Sequence, residues 1–350
     1  MTHQFHRNSN VVAIGGGNGL STLLSGLKAF VGDRGDDSGP IKELSAIVAV
    51  SDDGGSSGRL REELDMPPPG DIRNCLVALS EDSHLLARLF RHRFSGDGEL
   101  AGHSCGNLFL AALSEVTGDF AEAVRLSAEI LATKGHLYPA TSTNVRIAAR
   151  TADGETIKGE TNIGKCGKRI ERLFLEPAEC EPLPGAIEAI RSADLITVGP
   201  GSLYTSILPP LLVPAIRRAI VESEAVKVFI CNLMTQPGET DGMTGRRHLE
   251  VVKEHIPELQ FDHLIVNNRP VSDRQAELYL REGAEQIGVH GSMNEEEIEG
   301  AVVIKRDLLD SGEKVRHDPA KLARTVLECL GTGASGYLHT SNAPDIGTVA

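Results

Sequence analysis

The sequence predicts an α/β fold: a doubly wound, mostly parallel sheet covered by helices on both faces, with one antiparallel hairpin excursion. Three observations predict it. Short apolar runs alternate with amphipathic stretches along most of the 350 residues, the pattern of βαβ units. Four of those runs end abruptly in polar, mostly glycine-rich tips. One segment, "VRIAARTADGETIKGET", instead sets two β-type runs around Asp153-Gly154, a hairpin-turn signal.

Taken in order, Val11–Ile14, Leu44–Val50, Leu195–Val198, Val226–Cys231 and His263–Val266 read as buried strands. Amphipathic helices are expected over Ile72–Leu79, Asn107–Val116, Phe120–Leu131, Pro184–Ser192 and Ala215–Glu222. "GDRGDDSGP", Gly32 to Pro40, reads as a polar loop between the first helix and the second strand. Residues 10–330 are expected to form a single domain and 331–350, small and polar, a loose tail.

A chain of this length buries enough surface to need no staples. With 49 acidic and 35 basic residues its formal charge is −14, a field that repels a phosphate backbone and argues against nucleic acid as a partner. A small phosphorylated ligand in a local pocket is still compatible with it. The six cysteines form no C-x-x-C pair, which suits a reducing cytosol. The first ten residues, "MTHQFHRNSN", hold no apolar signal core. The longest apolar stretch, Ile207 to Ile216, carries three prolines and is too short to span a bilayer. The expectation is a soluble, cytoplasmic protein.

In open α/β sheets ligands collect beyond the carboxyl ends of the strands, so the strand tips matter most. After the first strand comes Gly15, Gly16, Gly17, Asn18 and Gly19. Such a loop lets backbone approach an anion at a helix start, or is a plain turn. Leu20 breaks the dinucleotide fingerprint, and no lysine precedes Lys28 to make a Walker loop. After the second strand come Asp52, Asp53, Gly54, Gly55, Ser56, Ser57 and Arg59. An acid there can take a ribose hydroxyl; two adjacent carboxylates can instead hold Mg²⁺ with phosphate oxygens. A solvated turn before a helix near Arg59 is the bland alternative.

After Val198 the tip is Gly199, Pro200, Gly201, Ser202, Leu203, Tyr204, Thr205 and Ser206, with more hydroxyls than one helix cap requires. Asn232, Thr235 and Gln236 follow the next strand. In "MPPPGDIRNCLVAL", Asp71 reads as the N-cap of Ile72–Leu79, and Arg73 and Asn74 occupy its first turn. A cation at a helix start is mildly unfavourable unless an anion repays it. His103 joins the two aspartates as an acid–base candidate, and His136 reads as a loop or cap histidine.

With these strings assembled, the chain resembles the gluconeogenesis-factor (YvcK-like) branch of the CofD-like, 2-phospho-L-lactate transferase superfamily. The resemblance rests on "GGGNGLSTLL", "SDDGGSSGRLR", "PPGDIRNCL", "GNLFLAAL", "GETNI", "ADLITVGPGSLYTSILPPLLVP", "NLMTQPGETDG" and "DHLIVNN". It implies a Rossmann-like fold and binding of a nucleotide-diphospho sugar of the UDP-N-acetylglucosamine kind. It also implies a role in cell shape and cell-wall maintenance during gluconeogenic growth. Carried over, the ligand wall is Gly15–Gly19, Asp52–Ser57, Arg59, Asp71, Arg73, Asn74, Asn107 and Gly199–Ser206, joined by Tyr279 and Arg316. Tyr279 also fits a helix-face packing residue, and Arg316 precedes an Asp318-Pro319 cap pair.

The CofD branch joins a phospholactyl group from a guanylylated donor to a deazaflavin precursor with Mg²⁺. The resemblance therefore carries a Mg²⁺-dependent transferase as the alternative to a binding protein. No H-E-x-x-H or G-x-S-x-G motif supports other hydrolytic chemistry. A homo-oligomer and a cell-wall-synthesis or regulatory protein partner are both compatible with the leading reading.

Overall fold

The computed structural model describes residues 8–32, 39–81, 84–288 and 296–332. Most of the polar loop read between Gly32 and Pro40, and the tail beyond Thr332, lie outside the described residues. The strands are β1 (Ser9–Gly15), β2 (Ile41–Val48), β3 (His136–Pro139), β4 (Arg146–Thr151), β5 (Thr156–Lys158), β6 (Ile170–Glu176), β7 (Leu195–Val198), β8 (Val226–Ile230), β9 (His263–Asn267), β10 (Glu297–Ile298) and β11 (Ala301–Arg306). The helices are α1 (Gly17–Leu27), α2 (Gly55–Leu64), α3 (Gly70–Leu79), α4 (His84–Arg91), α5 (Cys105–Thr117), α6 (Phe120–Ile130), α7 (Glu160–Lys165), α8 (Pro184–Arg191), α9 (Leu208–Leu212), α10 (Pro214–Glu222), α11 (Gly245–His255), α12 (Asp273–Arg281) and α13 (Pro319–Glu328).

The main sheet runs β10-β11-β9-β8-β7-β1-β2-β3. Every pair in it is parallel except β10 with β11. Beyond Ser9 and Asn10 at the start of β1, the residues of β1 and β7 are apolar and buried apart from Thr197, which is also buried, as strands covered on both sides must be. Leu20, Leu23, Leu24 and Leu27 of α1 are buried, and α1 packs on α3 and α13. One continuous apolar core joins these elements to the small sheet.

The order has a direct consequence for function. From β1 the chain builds outward through β2 and β3, then crosses back to lay β7, β8 and β9 on the other side of β1. The reversal point lies between β1 and β7, and in open sheets of this kind ligands bind beyond the carboxyl ends of the strands at such a point. The two glycine-rich tips, Gly15–Gly19 and Gly199–Ser206, follow these two strands.

The fold is the α/β sheet expected, and the hairpin at Asp153-Gly154 is β4 with β5. Three local expectations are corrected. The excursion has a third strand, β6, paired to β4. The helix expected near Arg59 begins at Gly55, so Ser56 and Ser57 belong to its first turn and are buried. His136 opens β3 at the sheet edge and is not a loop or cap residue; its ring stacks on Tyr138 at 6.3 Å.

Candidate functional site

The β1 tip and the β7 tip are packed on one another. A side chain at Gly19 would collide with the Pro200 carbonyl oxygen, and one at Gly16 would lie 2.6 Å from Asp71 Oδ2. Gly17 has φ +61, a conformation glycine adopts without steric cost. The Gly199–Pro200 peptide is cis. Asn232, at the end of β8, clamps this loop from the far side: its Oδ1 accepts from Gly201 N–H at 3.0 Å and its Nδ2 donates to Gly201 O at 2.6 Å.

Gly201 is therefore positioned by Asn232, and the space beside it is filled by Ser206 Cβ, 3.1 Å from where a side chain would begin. Ser202 donates to Glu239 Oε2 at 2.7 Å and accepts from Thr205 N–H. Ser206 and Ile207 N–H close on Ser202 O. Much of this loop's donor capacity is spent on its own shape.

The second tip divides its two carboxylates. Asp52 Oδ1 accepts from Gly54 N–H at 2.8 Å. Asp53 Oδ1 accepts from both the backbone and the hydroxyl of Thr161, at 2.8 and 2.6 Å, and so anchors α7. Arg59 turns to the carbonyls of Glu99 and Ala101. Arg61, two residues on, is the buried arginine of this stretch at 3 % exposure. It donates to Val145 O, and its Nε and Nη1 have no partner.

Asp71 does not cap α3. Pro69 holds that position, and Asp71 lies in the first turn, from which its carboxylate accepts from Gly17 N–H, the first residue of α1. Burial, reinforced by the Asp52 charge, pushes the Asp71 carboxyl up to about 7. Glu160, at the start of α7, is pushed up for the same reasons by burial and by Asp52 and Asp71, while bonding to Thr205. Its Oε2 has no partner. Three carboxyl groups thus face one space, and a buried pair of like charges resists full ionisation.

Around them four helix starts interlock. Asn107 of α5 donates to Ser56 of α2 at 3.2 Å, and Arg73 of α3 donates to Asn107 Oδ1 at 3.0 Å and to Asn74 Oδ1 at 2.7 Å. Ser56 Oγ also meets His103 Nδ1 at 3.1 Å. The N-cap residues of α1, α2, α3 and α5 are Gly16, Gly54, Pro69 and Ser104, and none provides a side-chain cap. Ser104 could, but gives its hydroxyl to Phe90 O. Uncapped N–H groups and the positive ends of helix dipoles favour an anion. The Nε of Arg73 and the Oε1 of Gln236 are further buried atoms without partners, and each such group calls for an explanation.

Tyr279 and Arg316 are brought to one corner, at the carboxyl edge of β9 and β11. Tyr279 Oη accepts from Val315 N–H at 3.1 Å, and the Arg316 side chain is exposed. Thr235 is buried and tied to Glu285 at 2.8 Å. Asn18 is exposed at the lip of the first loop. Among the described residues no three His, Cys, Asp or Glu side chains form a metal-ligand set. With Asp53 committed to α7, a Mg²⁺ here would rest on Asp52 and a ligand's phosphates rather than on both aspartates.

Sequence reasoning missed Arg61, Glu160 and Glu239. Glu160 lies in "GETNI" and Glu239 in "NLMTQPGETDG", strings that carry the resemblance without singling out either glutamate; only the bonds of Glu160 to Thr205 and of Glu239 to Ser202 show why a carboxyl group stands there.

Comparison with known proteins places these features in a wider set. The family model for 2-phospho-L-lactate transferase CofD matches residues 11–309. The Gluconeogenesis factor of Halalkalibacterium halodurans is 45% identical over 325 residues, covering 92% of this chain and 97% of that protein. The Gluconeogenesis factor of Bacillus subtilis is 43% identical, covering 91% of this chain and 98% of that one. A crystal structure of a UPF0052-family protein from Bacillus halodurans superposes with a TM-score of 0.85 at 45% identity, over 92% of this chain and 99% of that one. No helix among the described residues is long and apolar enough to cross a membrane.

Proposed function

The chain belongs to the CofD family and, within it, is similar over nearly its whole length to gluconeogenesis factors; on that premise we propose that it binds a nucleotide-diphospho sugar of the UDP-N-acetylglucosamine kind in a crevice at the carboxyl edge of the sheet, beside the packed β1 and β7 tips. One observation carries the reading: four helices that interlock around that crevice all begin without a side-chain cap. Gly17 N–H is taken by Asp71 and Cys105 N–H by the His92 carbonyl; a diphosphate supplies acceptors for the other first-turn N–H groups. Asp52, Asp71 and Glu160 suit the hydroxyl-rich remainder of such a ligand, since carboxyl groups accept from sugar hydroxyls. Tyr279 and Arg316 suit its far end, where an aromatic ring and a guanidinium can meet the sugar or base.

In this reading the protein senses a cell-wall precursor and passes that state to a cell-wall-synthesis or regulatory partner in the cytoplasm, which fits a role in cell shape during gluconeogenic growth. Mg²⁺ enters with the diphosphate. The test is calorimetric titration with UDP-N-acetylglucosamine, UDP and NAD, each with and without Mg²⁺. The expected result is saturable binding of the UDP-sugar and a raised melting temperature. Binding of NAD in its place, or of no nucleotide, ends the proposal.

Transfer is the second reading, favoured by the name of the family model. Asp71, with its carboxyl near 7, is the group poised to exchange a proton at neutral pH. Release of free nucleotide from a guanylylated phospholactate donor in the presence of an acceptor would establish it; a ligand that binds and is recovered intact supports binding alone.

A further inference from the structure

A groove of about 750 Å³ lies between β4, β6 and α11. Four of its lining residues are arginines, Arg150, Arg169, Arg172 and Arg247, against two glutamates, Glu171 and Glu254. On a chain with a formal charge of −14 this concentration of guanidinium groups is unexpected.

Three features set the groove apart from an ordinary charged face. Arg150 and Arg172 are directly opposite one another across the β4–β6 ladder; like charges in that relation destabilise a sheet. The ladder also shifts register between Arg150 and Thr151, leaving Glu171 as an extra residue, and bulges of this kind re-aim side chains beside sites. Finally, the arginines are of two kinds. Arg247 is held in place by Glu254 at 2.6 and 3.0 Å and by Glu250 at 3.1 Å, and Arg172 by the carbonyl of Glu254 at 2.7 Å. The side chains of Arg150 and Arg169 form no hydrogen bond or ion pair among the described residues. Glu254, already paired with Arg247, does little to neutralise them.

We infer that this groove is a second binding site, for a small anion carrying two or more phosphate groups. Planar guanidinium forks match phosphate oxygens, and the volume is that of a small-molecule site rather than a macromolecular face. The bound anion would bridge Arg150 and Arg172 and remove their repulsion, with Arg169 closing on it. Tyr204 of the β7 tip, 1 % exposed, interacts electrostatically with Arg247, Glu254 and Arg169 of the groove and with Glu239, the partner of Ser202.

Titration of the full chain with inorganic tripolyphosphate at low salt tests the inference. The wild type is expected to bind it saturably, and Arg150→Glu to lose at least roughly tenfold in affinity while its melting temperature holds or rises, because the new carboxylate pairs with Arg172. Arg169→Gln, which leaves the ladder untouched, provides the same reading should Arg150→Glu fail to fold. Loss of affinity in a folded variant supports the site. No binding by the wild type, or undiminished affinity in the folded variants, overturns it.

Discussion

Two groups of helices in this molecule begin in opposite ways. The N-cap residues of α6, α11, α12 and α13 are Asp119, Thr244, Ser272 and Asp318, and each accepts from a first-turn N–H of its own helix. Ser272 completes a full capping box with Gln275. At α1, α2, α3 and α5 the same position holds Gly16, Gly54, Pro69 and Ser104, with no such bond. α8, α9 and α10 also lack a side-chain cap, but each has proline, which has no N–H to cap, at its first or second position, and α7 takes Asp53 in place of a cap of its own. A missing cap costs about 1 kcal/mol per helix, so the four uncapped starts together forgo several kcal/mol at one place. What separates the groups is position: the uncapped starts are joined by Asp71, Arg73, Asn107 and Ser56 around one crevice. The lesson is that stability is given up where a ligand can restore it.

The sharpest way to break this comparison is at its tightest contact. Gly19→Val drives a side chain into the Pro200 carbonyl and should cost more than about 3 kcal/mol in chemical denaturation. A loss under about 1 kcal/mol would mean that the two tips are not held together as described.

Asp71→Asn should act in the opposite direction. The Asp71 carboxyl titrates at about 7 in the fold against an ordinary 3.8. Its contribution to stability is therefore whole below the ordinary value and is lost as pH rises through 7. Removing the charge should stabilise the free protein at pH 8 by on the order of 2 kcal/mol and flatten the fall in stability between pH 4 and 8. Urea unfolding at both ends of that range checks it; an unchanged pH slope counts against a buried, strained carboxylate.

Asn232→Ala frees both polar groups of Gly201 and should lower UDP-sugar affinity roughly tenfold, for a stability loss of about 1–2 kcal/mol. The smallest effects belong to the capped group. Asp318→Ala and Asp119→Ala should each cost about 1 kcal/mol and leave UDP-sugar affinity unchanged. A cap variant that weakened binding would blur the distinction between the two groups.

Much of the frame was legible before folding. The buried strands carry largely apolar runs, those of β1, β2 and β7 stop at glycine-rich tips, and Asp318-Pro319 caps α13 as its sequence implies. The edge strands were not legible: β3 has four residues and ends in Pro139, so it has neither the length nor the alternation of a strand. Within the site, residue types were easier to read than residue roles. Asp71 was visible as a helix-start acid, but its partner is the start of a different helix, fixed only when α1 and α3 pack together. Arg59 and Arg61 look equivalent in "SSGRLR"; helix phase alone turns one to the loop carbonyls and buries the other. Glu160 became a site residue because Asp53 holds α7 against the crevice through Thr161, a contact 108 residues apart in sequence.

The most direct test of the central claim is a crystal structure of the chain with UDP-N-acetylglucosamine. The account predicts the diphosphate oxygens at hydrogen-bond distance, about 2.7–3.2 Å, from first-turn N–H groups of the uncapped helices, with sugar or ribose hydroxyls on Asp52, Asp71 or Glu160. A diphosphate found in the arginine groove of β4, β6 and α11, or anywhere away from those four helix starts, would contradict it.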